Sequence, residues 1–338
     1  MGNSQQETYL GDKIDRSGKL KPTIESRISR GYGAISNILA IVNEIPLAHW
    51  RVEAGLHLRQ AMLLNGTLFN SEAWQGITIS EIHQLERVDE ALLRGLLRAH
   101  SKVPIEALYL ETGSIPIRYI IKSRRLSYLH NILQKDSEEL IMEVYEAQKS
   151  DPTDGDFCEL VKEDAIDVNL NMTENAIKVM KKDKFKEYVK TRVRIAALTY
   201  LKEMQQGHSK VKNIKYQKLE TSLYLRSPLF DVESCQTLFS LRTRTIRGIK
   251  NDFSGMFSDV KCPLGCDHLD SLENLLTCTV LTSNLQCETV TSNTIVFEDI
   301  FSNDVVKQRQ ITELFSQLLQ IRDRLLNSLP AATTGPVH

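Results

Sequence analysis

The chain has 338 residues, 41% of them hydrophobic and 25% charged, with a formal net charge of −1. This composition belongs to a folded globular protein and excludes an intrinsically disordered one, and the length leaves room for two or three domains. No apolar run approaches the ~20 residues of a membrane-crossing helix and no apolar export signal follows Met1. The six cysteines therefore read as thiols of a reducing, intracellular compartment, nucleus or cytoplasm.

In chain order, Ile24, Ile28, Ile35, Leu39 and Val42 recur at helical spacings over residues 23–45, which predicts one buried stripe ended by Pro46. Gly31 and Gly33 each cost about 1 kcal/mol relative to alanine inside a helix, so the close approach of another backbone is expected there. A second helix is expected over 48–65. A third follows the N-cap candidate Ser80, with Ile82, Leu85, Leu92, Leu93, Leu96 and Leu97 inward. Pro104 opens a short helix over 106–110 that Gly113 stops, and 117–133 forms another carrying Arg118, Lys122, Arg124 and Arg125. Asp136 with Glu139 makes a capping pattern for the next. The cluster Asp151-Pro152-Thr153-Asp154-Gly155 is the expected domain boundary.

Beyond it, Phe185, Val189, Val193, Ala196, Tyr200 and Met204 define a long amphipathic helix. Its other face stacks Lys182, Lys186, Lys190 and Arg194 at four-residue intervals. Like charges so spaced repel, and the stripe costs stability unless something anionic lies against it; partner binding and plain solvation both stay open. From Lys178 to Lys250 the chain holds 18 Lys plus Arg against 6 Asp plus Glu, a segment charge of +12 in a chain whose remainder is −13. An excess of that size attracts phosphate backbones by releasing counterions. Residues 207–228 read as irregular, a last helix is expected over 304–327, and a disordered tail from Pro330.

Chemistry concentrates in Cys262-Pro263-Leu264-Gly265-Cys266, followed after eleven residues by Cys278. A thiolate pair at that spacing with a third thiolate downstream fits most of a tetrahedral zinc shell. His268 and Cys287 are the candidates for the remaining ligand, since Asn274 is a poor one. The alternative is a small loop of reduced, partly buried thiols. No glycine-rich phosphate loop and no Gly-x-Ser-x-Gly elbow occurs, and the remaining histidines lie at no ligand spacing.

Tyr9-Leu10-Gly11-Asp12, Ile28-Ser29-Arg30-Gly31 and Asn70-Ser71-Glu72-Ala73-Trp74 resemble the region after the polymerase palm in non-LTR retrotransposon reverse transcriptases. Leu241-Arg242-Thr243-Arg244, Asn251-Asp252-Phe253 and the Cys262–Cys278 cluster resemble the carboxy-terminal zinc knuckle of the same proteins, in the same order over roughly residues 8–328. The resemblance implies a mainly α protein. A palm–thumb junction remnant at 1–22 would precede a thumb-like helical bundle at 23–150 and a basic helical segment at 151–255. A zinc-knuckle-like module at 256–290 and a closing helix with a disordered tail at 291–338 would complete it.

It also implies binding of RNA or DNA, for which Lys182, Lys186, Lys190, Arg194, Arg242, Arg244 and Arg247 are the candidate contacts. A palm-containing reverse transcriptase is an implied partner, and a structural zinc is implied at Cys262, Cys266 and Cys278 with His268. Two departures stand out. Asn274 occupies the place where the family pattern has histidine, and the chain has no adjacent aspartate pair to clamp the Mg²⁺ ions of nucleotidyl transfer. The expectation is a nucleic-acid-binding fragment without polymerase activity of its own; the rival is a helical protein-interaction module or a decayed relic.

Overall fold

The computed structural model describes residues 6–9, 12–15, 19–212, 214–246, 248–249, 260–285 and 296–328. Arg247, Cys287, the Asn251-Asp252-Phe253 motif and the tail from Pro330 lie outside the described residues. The protein is mainly helical, as its periodicity predicts. One element was invisible to that periodicity: β1 (Gln6–Tyr9) and β2 (Asp12–Asp15) pair antiparallel, with Gln6 opposite Asp15 and Tyr9 opposite Asp12. Strands of four residues are too short to show a period of two.

The first helix, α1 (Lys21–Asn43), buries Ile24, Ile35, Ile38 and Val42. Gly31 has a steric reason, though not the expected one. A β-carbon there would lie 2.7 Å from Val88 Cγ1 and 2.8 Å from Thr67 Cγ2, so side chains rather than a backbone exclude it, while at Gly33 nothing lies within 4 Å. Helix α2 (Ala48–Leu58) continues into a wider π turn (Arg59–Leu64) and one last turn (Asn65–Thr67). Arg51 on α2 closes two helix ends at once. It donates to the Val42 carbonyl of α1 at 3.3 Å and to the Gly95 and Leu96 carbonyls of α3 (Ile79–Leu97) at 3.3 and 3.4 Å. The N-cap of α3 is Thr78, not Ser80. Its hydroxyl accepts the Glu81 N–H at 3.2 Å, and Glu81 accepts the Thr78 N–H at 2.8 Å, a reciprocal capping box.

Helices α4 (Ile105–Thr112) and α5 (Ile117–Leu133) follow as expected. Asp136 heads a turn instead of a helix, and α6 (Leu140–Ser150) begins after Glu139. Helices α7 (Phe157–Asp167) and α8 (Glu174–Val179) lead to the long α9 (Lys182–Gln206). A short α10 (Leu223–Arg226) interrupts the irregular segment after it, and α11 (Val232–Arg242) follows. Two short helices, α12 (Leu272–Thr277) and α13 (Thr279–Ser283), carry the end of the cysteine region. A tight turn (Phe297–Phe301) then leads to α14 (Val305–Ser328).

On α9 the buried residues are Phe185, Val189, Val193, Ala197, Leu201 and Gln205; Ala196, Tyr200 and Met204 are only half-buried. A constant step of four overshoots the 3.6-residue turn, so the stripe winds around the helix and follows α5 and then α4 as α9 crosses them. A connected apolar core runs from Ile35 to Ile321, with a smaller cluster of Ile24, Leu64, Leu68, Trp74, Leu85, Ile117 and Ile121 beside it. Residues 151–155 do not divide this core. Helices α6 and α7 pack together across the turn, with the Tyr145 and Phe157 rings 6.4 Å apart.

Asp156 ends that turn and caps α7, accepting the N–H groups of Thr153 and Glu159 at 2.8 Å each. Burial alone would raise its carboxyl, but these bonds outweigh burial and hold it below the usual aspartate value. Asp156→Ala is expected to cost about 1 kcal/mol in chemical denaturation near neutral pH. Because the folded pKa is lowered, that contribution is present above the ordinary aspartate range. It fades as pH falls through the folded value, and with it the difference between mutant and parent.

The end of α4 is a joint between distant parts of the chain. Glu111, fully buried, accepts Arg242 Nε at 2.7 Å and the Tyr216 hydroxyl at 2.7 Å, and Arg242 Nη1 donates to the Ile300 carbonyl at 2.7 Å. The Ser222 N–H reaches the Glu111 carbonyl at 2.8 Å, and Thr112 and Thr221 form an antiparallel bridge. Burial alone would lower the Arg242 guanidinium, but the facing carboxylate raises it above its ordinary value.

Candidate functional site: a thiol cluster and a lysine face

The loop that gathers the cysteines is built from backbone bonds. The Cys262 N–H donates to the His268 carbonyl at 2.9 Å, the Asp270 N–H to the Val260 carbonyl at 2.8 Å, and Lys261 bridges Leu269 in antiparallel fashion. Within this clamp the Gly265 N–H closes on the Cys262 carbonyl at 3.1 Å, with Gly265 at φ +85°, the left-handed region that glycine tolerates. The turn aims Cys262 and Cys266 at Cys278, which follows α12 and donates its N–H to the Asn274 carbonyl at 2.7 Å. The three sulfurs lie within 4.8 Å of one another, an arrangement able to hold a metal ion. Cys262 and Cys278 are buried and Cys266 is half-buried.

His268 does not join them. Its side chain is exposed and its ring is not among the converging ligand atoms; only its carbonyl takes part, in the clamp on Cys262. The expectation of His268 as a fourth ligand is corrected on that ground. The group facing the thiols is Asn274, 4% exposed, whose amide Nδ2 and Oδ1 lie 3.5 and 3.6 Å from Cys266 Sγ. Burial pushes the Cys262 thiol up to about 11. Burial acts in the same sense on Cys266, but bonds from the Asn274 side chain and the His268 backbone, with the neighbouring thiols, outweigh it and lower that thiol.

The loop is tied to the rest of the protein by Arg322 of α14. Its Nη2 meets Asp270 at 2.7 Å and the Gly248 carbonyl at 2.9 Å, and both charged residues are buried. Asp270→Ala is expected to leave Arg322 buried without a counter-charge and to lower stability by about 3–5 kcal/mol, read by denaturant midpoint.

The basic candidates divide. Lys182, Lys186 and Lys190 are exposed along the outer face of α9, Lys190 within 3.6 Å of Glu187. Lys182 and Lys186 make no ion pair among the described residues. Arg194 is half-buried and donates to the Leu219 carbonyl at 3.1 Å, fastening the segment that follows α9. Arg242 is corrected: 6% exposed and committed to Glu111, it is sealed from any phosphate. Arg244 is corrected as well. It pairs with Glu273 of α12 and lies over the Phe297 ring, 5.3 Å from its centroid, holding the cysteine region to the segment before α14.

Beside the lysines lies an open groove of about 340 Å³, lined by Ser123, Arg124, Ser127, Tyr128 and Asn131 of α5, by the acid Glu72, and by Lys186 from α9. Arg124 is bonded to the Leu68 carbonyl, and Ser71 Oγ lies 3.4 Å from the same nitrogen. The other Lys and Arg side chains of α5 are paired, Arg118 with Glu86 at 2.7 Å, and Lys122 and Arg125 with the same Asp164 at 3.2 and 3.4 Å. The groove was not legible from sequence, since its two walls are helices more than fifty residues apart. Among the described residues no helix is long and apolar enough to cross a membrane. Comparison with known protein families, curated proteins and solved structures finds no match to this chain.

Proposed function

We propose that the protein binds a polynucleotide, RNA or DNA, along the outer face of α9, with the cysteine cluster holding a zinc ion that fixes the loop before α14. The observation that carries the reading is where the lysines stand. Lys181 occupies the N-cap position of α9 with no side-chain cap, Lys182 and Lys184 follow in the first turn around Asp183, and Lys186 in the next, all four lysines exposed. Cations at a helix N-terminus are unfavourable, Asp183 offsets them only in part, and a bound anion makes them favourable. The resemblance to the thumb and tail of retrotransposon reverse transcriptases supports a polynucleotide as the anion. With no adjacent aspartate pair in the sequence, primer extension is assigned to a palm-containing partner.

Fluorescence anisotropy with labelled RNA and duplex DNA across a salt series tests this. Binding should weaken steeply with salt, and the combined Lys182→Gln, Lys186→Gln and Lys190→Gln variant should weaken it for every sequence while reducing the salt slope by about 3. Absence of binding by the parent chain at low salt would remove the proposal. That result would favour a protein-interaction module, for which the exposed Leu47, Trp50 and Leu229 offer an apolar surface near the Leu47–Asp231 bridge.

A further inference from the structure

Zinc–sulfur bonds of about 2.3 Å set tetrahedral sulfurs about 3.8 Å apart, so three thiols within 4.8 Å need little movement to share one ion. Beside the thiols, against Cys266, lies a carboxamide. Asn274 is the third residue of α12, its N–H held by Ser271 Oγ at 3.3 Å, so its backbone is anchored. Its amide nitrogen lies 3.5 Å from Cys266 Sγ, at hydrogen-bond distance for a donor to sulfur. A carboxamide oxygen is a hard donor, poorly matched to an ion already holding three soft thiolates. Its NH₂ group serves better as a donor that orients and stabilises the Cys266 thiolate. Cys266 is also the least buried of the three cysteines, so its side is the one nearest to solvent.

We propose that Cys262, Cys266 and Cys278 form an open three-thiolate metal site. A bound zinc ion keeps an exchangeable fourth position there for a small borderline donor, such as an imidazole nitrogen from solution or from a partner. Three protein ligands with a free fourth position distinguish such a site from a closed structural one. The inference rests on the metal reading of the thiol cluster and stands apart from polynucleotide binding.

The test loads the full chain with Co²⁺, which shares zinc's geometry and reports its ligands by absorption, and titrates free imidazole. One metal per chain and a saturable spectral change on adding imidazole are expected. Asn274→His, which supplies an internal imidazole, should abolish that response. The parent titration carries the test by itself if the histidine variant fails to fold. A parent spectrum that imidazole leaves unchanged would overturn the proposal, as would a response gained only with His268→Ala or Cys287→Ser, since the fourth position would then already be closed. A chain that takes up no metal overturns it too. Anisotropy on the same preparations reads polynucleotide binding separately, so failure there leaves the metal result standing.

Discussion

Glu111→Ala is expected to destabilise the protein by about 3–5 kcal/mol, because it leaves the Arg242 guanidinium buried without its counter-charge. Arg242 is 6% exposed and Glu111 0%, so neither charge has water to fall back on. The carboxylate also accepts the Tyr216 hydroxyl at 2.7 Å, and that buried donor is orphaned by the same change. Urea denaturation followed by circular dichroism measures the loss. The pair itself need not be stabilising relative to an apolar one. Replacing both partners, Glu111→Leu with Arg242→Met, should therefore cost less than Glu111→Ala alone, which separates an uncompensated charge from lost packing. A single alanine variant within about 1 kcal/mol of the parent would mean that water enters the joint and the charge is not sealed.

Gly113→Ala two residues later is expected to cost about 3 kcal/mol or more. Gly113 ends α4 at φ +66°, where an L residue pays about 1–2 kcal/mol. A β-carbon there would stand 2.4 Å from the Glu220 carbonyl carbon and the Thr221 nitrogen. Both are backbone atoms, so no rotamer relieves the clash. The chain after α9 must move away, opening the Thr112–Thr221 bridge and the 2.9 Å bond from the Thr221 hydroxyl to the Thr112 carbonyl. Gly33→Ala is the control: the same chemistry inside α1 with nothing within 4 Å should stabilise slightly. Thermal unfolding of the two variants side by side reads the difference.

Which features were legible follows from their range. Helix boundaries are local, and Pro104, Gly113 and the apolar steps of α1, α3 and α9 announced them. Thr78 was missed as a cap although Glu81 completes its pattern three residues on, because Ser80 lies closer to the apolar run. The cysteine turn was legible for the same reason as the helices, its two thiols and Gly265 being near neighbours. Arg242 and Arg244 misled because charge density along a sequence says nothing of partners. Their carboxylates, Glu111 and Glu273, lie 131 and 29 residues away. His268 misled in the opposite sense, near the cysteines in sequence yet exposed, contributing its carbonyl to the loop and not its ring to the thiols.

The distance between Glu111 and Arg242 has a consequence for how the chain is made. Synthesis at about 5–20 residues per second separates the emergence of two groups 131 residues apart by roughly 7–26 s. Throughout that interval the carboxylate at the end of α4 is without its counter-charge, so this joint closes only once α11 has been made. Any product terminated before residue 242 keeps that acid for good, and the surface it would have sealed stays open to chaperones and proteases.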